Sequence, residues 1–442
     1  MTEVKVIKTA AESALAQEFA QARSRLPGDG AVAAQRAAAF DLFAREGLPH
    51  RRVEEWKYTD LRALMREAKP LAGPPGAAAK ARAKTAGAVL GDVESRKLVF
   101  IDGAFVAELS DTAALEQGLT VGSLADALAE GDAAVTARLG KLAPATDVAV
   151  ALNTALMGDG AVIRVASGAT IERPLHLVFV AGEKPAASFM RSLVIVEQGA
   201  RVMLIESHEG PAGVDYQVNA ALELFVADEA HVDYVKIIGE GVDALHVSAL
   251  AAAVGGKARL NAFTFIAGGG VIRNQLFLNF DGEDTIANIR GATLIKDKQH
   301  ADTTLVVNHI ARGCQSREVF KSVLDEEAHG VFQGRIIVKP GAQQTDAKMM
   351  TRALLLSDRA EADNKPELEI YADDVQCGHG ATAGAIDREL KFYLMARGIP
   401  EPEAEALLIH AFLGEAVEGF EHAGLREALM DQVAAWLKAR GH

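Results

Sequence analysis

The chain has 442 residues, 49% of them hydrophobic and 24% charged, the composition of a folded chain too long for one ordinary core unless it is an elongated repeat. Its net charge of −14, from 46 Lys+Arg against 60 Asp+Glu, repels phosphate backbones and argues against nucleic acid as a partner. No run approaches ~18 apolar residues, so no membrane-spanning helix is expected; the start carries no secretory pattern, and two cysteines, Cys314 and Cys377, do not make a disulfide framework, which points to reduced thiols and a cytoplasmic location.

Residues 1–95 form an N-terminal helical region and linker. Leu15, Phe19 and Ala22 follow a helical spacing, as do Phe40, Phe43 and Ala44, and Gly47 with Pro49 stops the second helix. In "EEWKYTDL", Trp56 and Tyr58 are large aromatics in a chain with only 5% aromatic residues, and packing onto the next domain is their simplest role. Pro70, Pro74 and Pro75 with Gly73 and Gly76 are expected to break any regular element over residues 70–95. Residues 96–160 are a mixed connecting segment, in which "LVFIDGAFVAEL" predicts a strand pair across the Asp102-Gly103 turn before helical patterning over residues 112–158.

Residues 161–384 change texture. Short β-rich runs such as "AVIRVA", "SLVIVEQ", "RVMLIES" and "TTLVVNH" recur between tight turns. A small residue returns before a strand at Ala169, Ala200, Ala230 and Ala258, and again at Ala328 and Ala360; the gap between the two sets is taken up by two looser repeats. A period of about 30 residues built only of short strands predicts stacked coils, a mainly β fold of the β-solenoid type. A β-sandwich also has closely spaced strands but does not account for that echo.

Residues 385–442 return to helical patterning. Pro402 and its acidic neighbours suit a helix N-terminus, and Leu407, Leu408, Ala411, Phe412, Ala416 and Phe420 fall roughly along one stripe. Such a tail either caps a solenoid or presents an apolar face to another protein.

The chemistry centres on "VQCGHGATAG". If the strand continues past Val375, Cys377 and His379 point to one face, and the flanking glycines leave room for a ligand or another backbone. A thiolate beside an imidazole suits iron, zinc or copper(I), or a Cys–His nucleophile pair. C-x-H supplies only two ligands where a closed zinc site needs four, so a structural pair is the competing reading. Gly268, Gly269 and Gly270 suit a solenoid corner, since no P-loop lysine follows. His300, His309 and His329 are expected at the surface or in turns, and Asp325, Glu326 and Glu327 in a solvated turn. With no nucleophile elbow either, the chain shows no self-contained active site, and no catalytic activity of its own is expected.

"PELEIYADDVQCGHGATAGAID" closely resembles the signature of the SufB/SufD family of iron–sulfur cluster assembly proteins, in its SufD branch. "EEWKYTDL", "DEEAHGVFQGRIIVKPGAQQTDA", "LLLSDRAEADNKP" and "YLMARGIPEPEA" carry the same resemblance along nearly the whole chain. It implies a right-handed parallel β-helix core with helical N- and C-terminal regions, acting as the non-ATPase subunit of a scaffold with a SufB-like paralogue and a SufC-like ABC ATPase. It implies a transient iron–sulfur cluster shared with the partner and not held by this chain alone; a homodimer is admissible when the chain is alone. Carried over residue by residue, Cys377 and His379 belong to the cluster-assembly site. The C-terminal helical region, with Leu407, Leu408, Ala411 and Phe412, belongs to the ATPase-binding surface. SufB-like chains have "EHEAT" where this chain has "GHGAT", so Gly380 replaces a carboxylate, and Thr351 stands near the place of the SufB assembly cysteine. That departure disfavours the SufB-type main scaffold. A β-solenoid enzyme, polysaccharide-acting or acyltransferase, is the alternative of another class; the missing secretory pattern and the absence of a strict six-residue repeat count against it.

Overall fold

The computed structural model describes residues 8–91, 93–419 and 422–440. From β4 to β19 successive strands alternate between two sheets, so that each strand pairs in parallel with the strand two places on. One sheet runs, in hydrogen-bonded order, β2 (Ala104–Phe105), β1 (Arg96–Ile101), β5 (Leu175–Val180), β7 (Arg201–Glu209), β9 (His231–Gly239), β11 (Arg259–Ile266), β13 (Ile286–Ile295), β15 (Gln315–Leu324), β17 (Asp346–Leu355) and β19 (Gln376–Gly384). The other runs β3 (Leu119–Ser123), β4 (Ala161–Val165), β6 (Ala187–Val196), β8 (Gln217–Val226), β10 (Leu245–Val254), β12 (Val271–Phe280), β14 (His300–His309), β16 (His329–Val338) and β18 (Glu361–Ile370). This is the predicted parallel β-solenoid, and an antiparallel sandwich is excluded because from β4 on every strand pairs in parallel with the strand two places away. The register stacks like on like: Leu250 lies between Leu222 and Leu276. The expected strand pair across Asp102-Gly103 is β1 with β2, antiparallel, and its strand β1 also joins the stack beside β5.

The corners explain the sequence period. The seven passages from the nine-stranded to the ten-stranded sheet between β4 and β17 each turn on one residue in the left-handed region: Gly168, Gly199, Glu229, Lys257, Asp284, Gly313 or Gln344, with φ between 55° and 74°. Each donates its N–H to a carbonyl one coil further on, from Gly168 to Gln198 through to Gln344 to Asp374, at 2.6–3.0 Å. Four of the seven are not glycine, so each of those four carries a backbone cost of roughly 1–2 kcal/mol that the ladder must offset. The next residue packs inside the corner and must be small: Ala169, Ala200, Ala230, Ala258, Thr285, Cys314, Thr345. The alanine echo therefore continues through threonine and cysteine, not through two looser repeats. Ala328 and Ala360 precede β16 and β18 and belong to the opposite corner. Cys314 is fully buried, and its thiol donates to the Gly282 carbonyl at 3.3 Å as the Thr285 hydroxyl donates to Gly255 at 2.7 Å.

Helices cover the outer faces of the sheets. In the N-terminal region, α1 (Ala10–Ala22) opens with a reciprocal cap between Thr9 and Glu12, and α2 (Gly30–Glu46) ends at Gly47, whose N–H returns to Phe43. Trp56 is buried under the Arg273 guanidinium, 4.5 Å from its ring, and donates its indole N–H to Asp147. Here the aromatic anchor does pack onto the next part of the chain. After the short α3 (Leu61–Leu64), the segment expected to lack regular structure contains α4 (Ala77–Ala83). Its alanine run favours a helix, and Ala79 and Ala83 bury against Val99 and Val178. Then come α5 (Leu124–Ala129), α6 (Ala133–Arg138) and α7 (Val148–Leu156), the last packed on α2, β6 and β8. At the C-terminus, α8 (Arg388–Ala396), α9 (Glu401–Val417) and α10 (Ala423–Ala439) follow β19.

His300, His309 and His329 lie in strands rather than turns, and His309 is not at the surface. His309 ends β14 fully buried, edge-on to Phe280 and 3.0 Å from the Ser316 hydroxyl. His300 and His329 occupy stacked strand positions, bonded to each other at 3.1 Å and onward to Thr59 and Asp363. Nor is Asp325 solvated: it is buried and paired with Arg440. Strand alternation sends His309 inward, whereas His300 and Asp325 are covered from outside by the N-terminal segment at Thr59 and by Arg440.

Two predictions follow from the buried groups. Because Cys314 occupies a corner position that its neighbours fill with threonine, Cys314→Thr should alter unfolding free energy by less than about 1 kcal/mol, whereas Cys314→Leu should cost about 1–3 kcal/mol by overpacking. Equal losses in thermal unfolding would contradict this. The second concerns pH. Burial pushes the Glu318 carboxyl up to about 8 and holds His309 down to about 4. A depressed histidine lends stability that is present above its ordinary 6.5 and lost as pH falls through about 4. A raised carboxyl lends stability that is present below its ordinary 4.5 and lost as pH rises through about 8. Glu318→Gln should therefore gain on the natural chain by up to about 1.4 kcal/mol per pH unit between pH 5 and 8. Parallel stability curves across that window would refute the assignment.

Candidate functional site

The stack ends at β18 and β19. Among the described residues, β18 pairs only with β16 and β19 only with β17, so each leaves one edge of backbone N–H and C=O groups without a strand partner. Such edges are templates for another chain. Pro366 lies within β18, where a missing N–H is tolerated because the strand is at an edge.

Period-2 alternation places Cys377 and His379 on one face, as predicted, and that face is the inner one. Their register partners in β17 are the buried Ala347 and Met349, members of the solenoid's interior cluster, against which Cys377 itself packs. Cys377 is half-buried and His379 exposed, because no further coil covers them. The glycines lie on the opposite face. Gly378 has open space beside it, but the place of a Cβ at Gly380 is already filled by the Met350 side chain, 2.6 Å away. Only Gly378 offers the room expected of both. Thr351 is buried one coil below Ala381, its hydroxyl donating to Asn364 at 2.9 Å.

The electrostatics do not favour a nucleophile pair. Burial pushes the Cys377 thiol up, with the Asp346 and Glu318 carboxyls adding to it, so the thiol is held protonated at neutral pH. Among the described residues no hydrogen bond joins Cys377 to His379, and no third histidine, cysteine or carboxylate comes close enough to complete a metal site around them. The geometry offers two ligands on an open face. Glu318 was not singled out in the sequence. It lies two coils inward on the same register column as His379, through Met349, and neither carboxylate oxygen has a hydrogen-bond partner among the described residues.

The C-terminal residues divide. On α9 the buried positions are Ala404, Ile409, Leu413, Ala416 and Val417, packed with α10 residues over the outer face of β9, β11, β13 and β15. Leu407 and Ala411 face solvent. Leu408 and Phe412 are half-buried, with the Lys321 ammonium 4.6 Å from the Phe412 ring and bonded to its carbonyl. The expected single stripe is therefore two faces, because apolar residues surround the helix; Phe420 lies outside the described residues. The largest exposed apolar group is on α8, where Phe392 is 72%, Tyr393 55% and Leu390 52% exposed and no residue is buried. Only the density of apolar residues in "LKFYLM" signalled it in the sequence. Lys391 ties α8 to α9 through Glu401 and Glu405 at 2.9 and 3.0 Å.

Comparison with known proteins agrees with this architecture. Residues 178–412 match the family described as SUF system FeS cluster assembly, SufBD core domain, and residues 10–177 match the SufBD protein N-terminal region. An iron–sulfur cluster assembly SufBD family protein of Synechocystis sp. is 32% identical over 421 residues, covering 92% of this chain and 91% of that protein. The iron–sulfur cluster assembly protein SufD of Escherichia coli is 30% identical over 394 residues, covering 88% and 89%, and SufD of Bacillus subtilis is 28% identical over 291 residues, covering 65% and 66%. With both family regions in sequence order and the core match lying over the β-solenoid, the chain belongs to the SufBD family of iron–sulfur cluster assembly proteins.

Proposed function

We propose that this chain is the SufD-type, non-ATPase subunit of a cytoplasmic iron–sulfur assembly scaffold, and that its last coil supplies half of a nascent-cluster site completed by a SufB-like partner. The observation that carries the reading is the position of Cys377 and His379: inward-facing, uncovered, on a coil whose strand edges are unpaired, and without a third ligand of their own. A partner coil adding strands to β18 and β19 would satisfy those edges and bring its own side chains over the pair. Iron–sulfur centres accept histidine in place of cysteine on an iron, and a thiol that stays protonated until metal or a base arrives suits transient rather than permanent ligation. The same edges would pair two copies of this chain in the absence of the partner. On this reading the cluster is cargo, and the chain alone is without catalytic activity.

A SufC-like ATPase is assigned to the C-terminal helices. Of the stripe read in the sequence, Leu407 and Ala411 are the accessible members, and the apolar side chains of α8 extend the surface. Removing α9 and α10 altogether would strip the cover from Phe263, Phe265 and Leu294 and disturb the core, so point changes are the proper probe.

His379→Ala removes an exposed side chain and should change folding stability by less than about 0.5 kcal/mol. The complex should still assemble, while cluster content in cells dependent on this pathway falls several-fold; Cys377→Ala should act in the same direction more mildly. Normal cluster content in His379→Ala would make the pair structural. For the helical surface, Phe392→Glu and Leu407→Glu should weaken ATPase binding at least tenfold with the unfolding temperature unchanged. Undiminished binding in both would move that interface elsewhere.

A further inference from the structure

Far down the stack from Cys377, the interior holds a second convergence of ligating groups. His208 lies on β7, Glu240 directly follows β9, and His246 is the second residue of β10; all three are buried. One ring nitrogen of each histidine and one carboxylate oxygen of Glu240 lie within 4.8 Å of one another. The surrounding bonds leave one ring nitrogen of each histidine unsatisfied. Nδ1 of His246 stands 2.8 Å from Oε2 of Glu240, so these two atoms meet each other. Nε2 of His246 and Nδ1 of His208 lack a hydrogen-bond partner among the described residues. Two ring nitrogens without a partner in one buried place are costly unless something binds them.

What surrounds them prepares the histidine rather than occupying it. Nε2 of His208 is 2.6 Å from Oε1 of Glu206, whose other oxygen accepts the Tyr234 hydroxyl at 2.7 Å. A carboxylate holding one ring nitrogen as N–H leaves the other as a lone pair, the arrangement common behind metal-bound histidines. Charge points the same way. Lys236, 3.2 Å from Glu206, balances that carboxylate, whereas among the described residues no lysine or arginine forms an ion pair with Glu240. A small cavity lined by Phe179, Met190, Val218, His208 and Glu240 adjoins the group.

We propose that His208, Glu240 and His246 bind one divalent transition-metal ion, of the Zn²⁺ or Fe²⁺ class, with a remaining position open toward the adjoining cavity. Two imidazoles and a carboxylate, with no thiolate, match that class and not copper(I) or an iron–sulfur cluster. The ion would clamp β7 to the turn between β9 and β10. It is separate from the end-coil pair and independent of the assembly reading.

The probe is Co²⁺ added to the full-length chain purified in chelator and then freed of it. The expected result is one equivalent bound, with visible d–d absorption and no thiolate charge-transfer band. Affinity should fall at least tenfold in Glu240→Gln and in His246→Gln, and stay unchanged in a Cys377→Ser, His379→Ala double variant. No binding to the folded natural chain, as a proton shared between His246 and Glu240 would give, overturns the proposal. So does binding that survives both ligand variants or disappears with the end-coil pair. Should the ligand variants not fold, crystals of the natural chain grown with Zn²⁺ decide: an anomalous peak about 2.0–2.2 Å from the three side chains supports the site, and its absence there overturns it.

Discussion

The structure depends on a backbone hydrogen-bond ladder that runs from coil to coil and has no partner beyond the last one. Parallel pairing satisfies each strand against the coil before and the coil after, and the left-handed corner residues extend the same ladder around the turn. A repeat of this kind buries its apolar columns only by stacking, so every internal coil is protected by its neighbours and the terminal coil is not. The C-terminal helices do not cover that end; their buried face lies over the outside of one sheet. The exposure of His379 follows from where the ladder stops.

The period of the solenoid was legible in the sequence because each corner admits only a small residue. The echo is hidden where the small residue changes type. Thr285, Cys314 and Thr345 fill the corner as Ala230 and Ala258 do, but an echo sought in alanine alone misses them, and two alanines from the opposite corner were read into the same series. The same local constraint explains Cys314, whose thiol serves a carbonyl as a threonine hydroxyl would. The helix within residues 70–95 was obscured by prolines and glycines that precede it, although Ala77–Ala83 contains none.

At the candidate site, the shared face of Cys377 and His379 was legible because strand alternation is fixed at two residues. Which face it was, and that no coil lies above it, depended on the register with β17 and on the end of the stack, neither of which is local. The thiol's protonated state likewise follows from tertiary burial beside Asp346 and Glu318. The convergence of His208, Glu240 and His246 carries no sequence spacing that marks a metal site, since it is assembled by β7 and the β9–β10 turn across coils. On α9 the apolar residues were correctly recognised, but a helix apolar on several sides does not declare which side is buried.

Membership of the SufBD family and an uncovered terminal coil together make the free edge the central element of the account. Hydrogen–deuterium exchange on β18 and β19 tests it most directly, in the isolated chain and after addition of a SufB-like partner. The outward amides of Glu361–Ile370 and Gln376–Gly384 should exchange rapidly in the isolated chain and become protected in the complex, with β9 and β11 unchanged. A stable complex in which those edge amides exchange as fast as before would contradict the account.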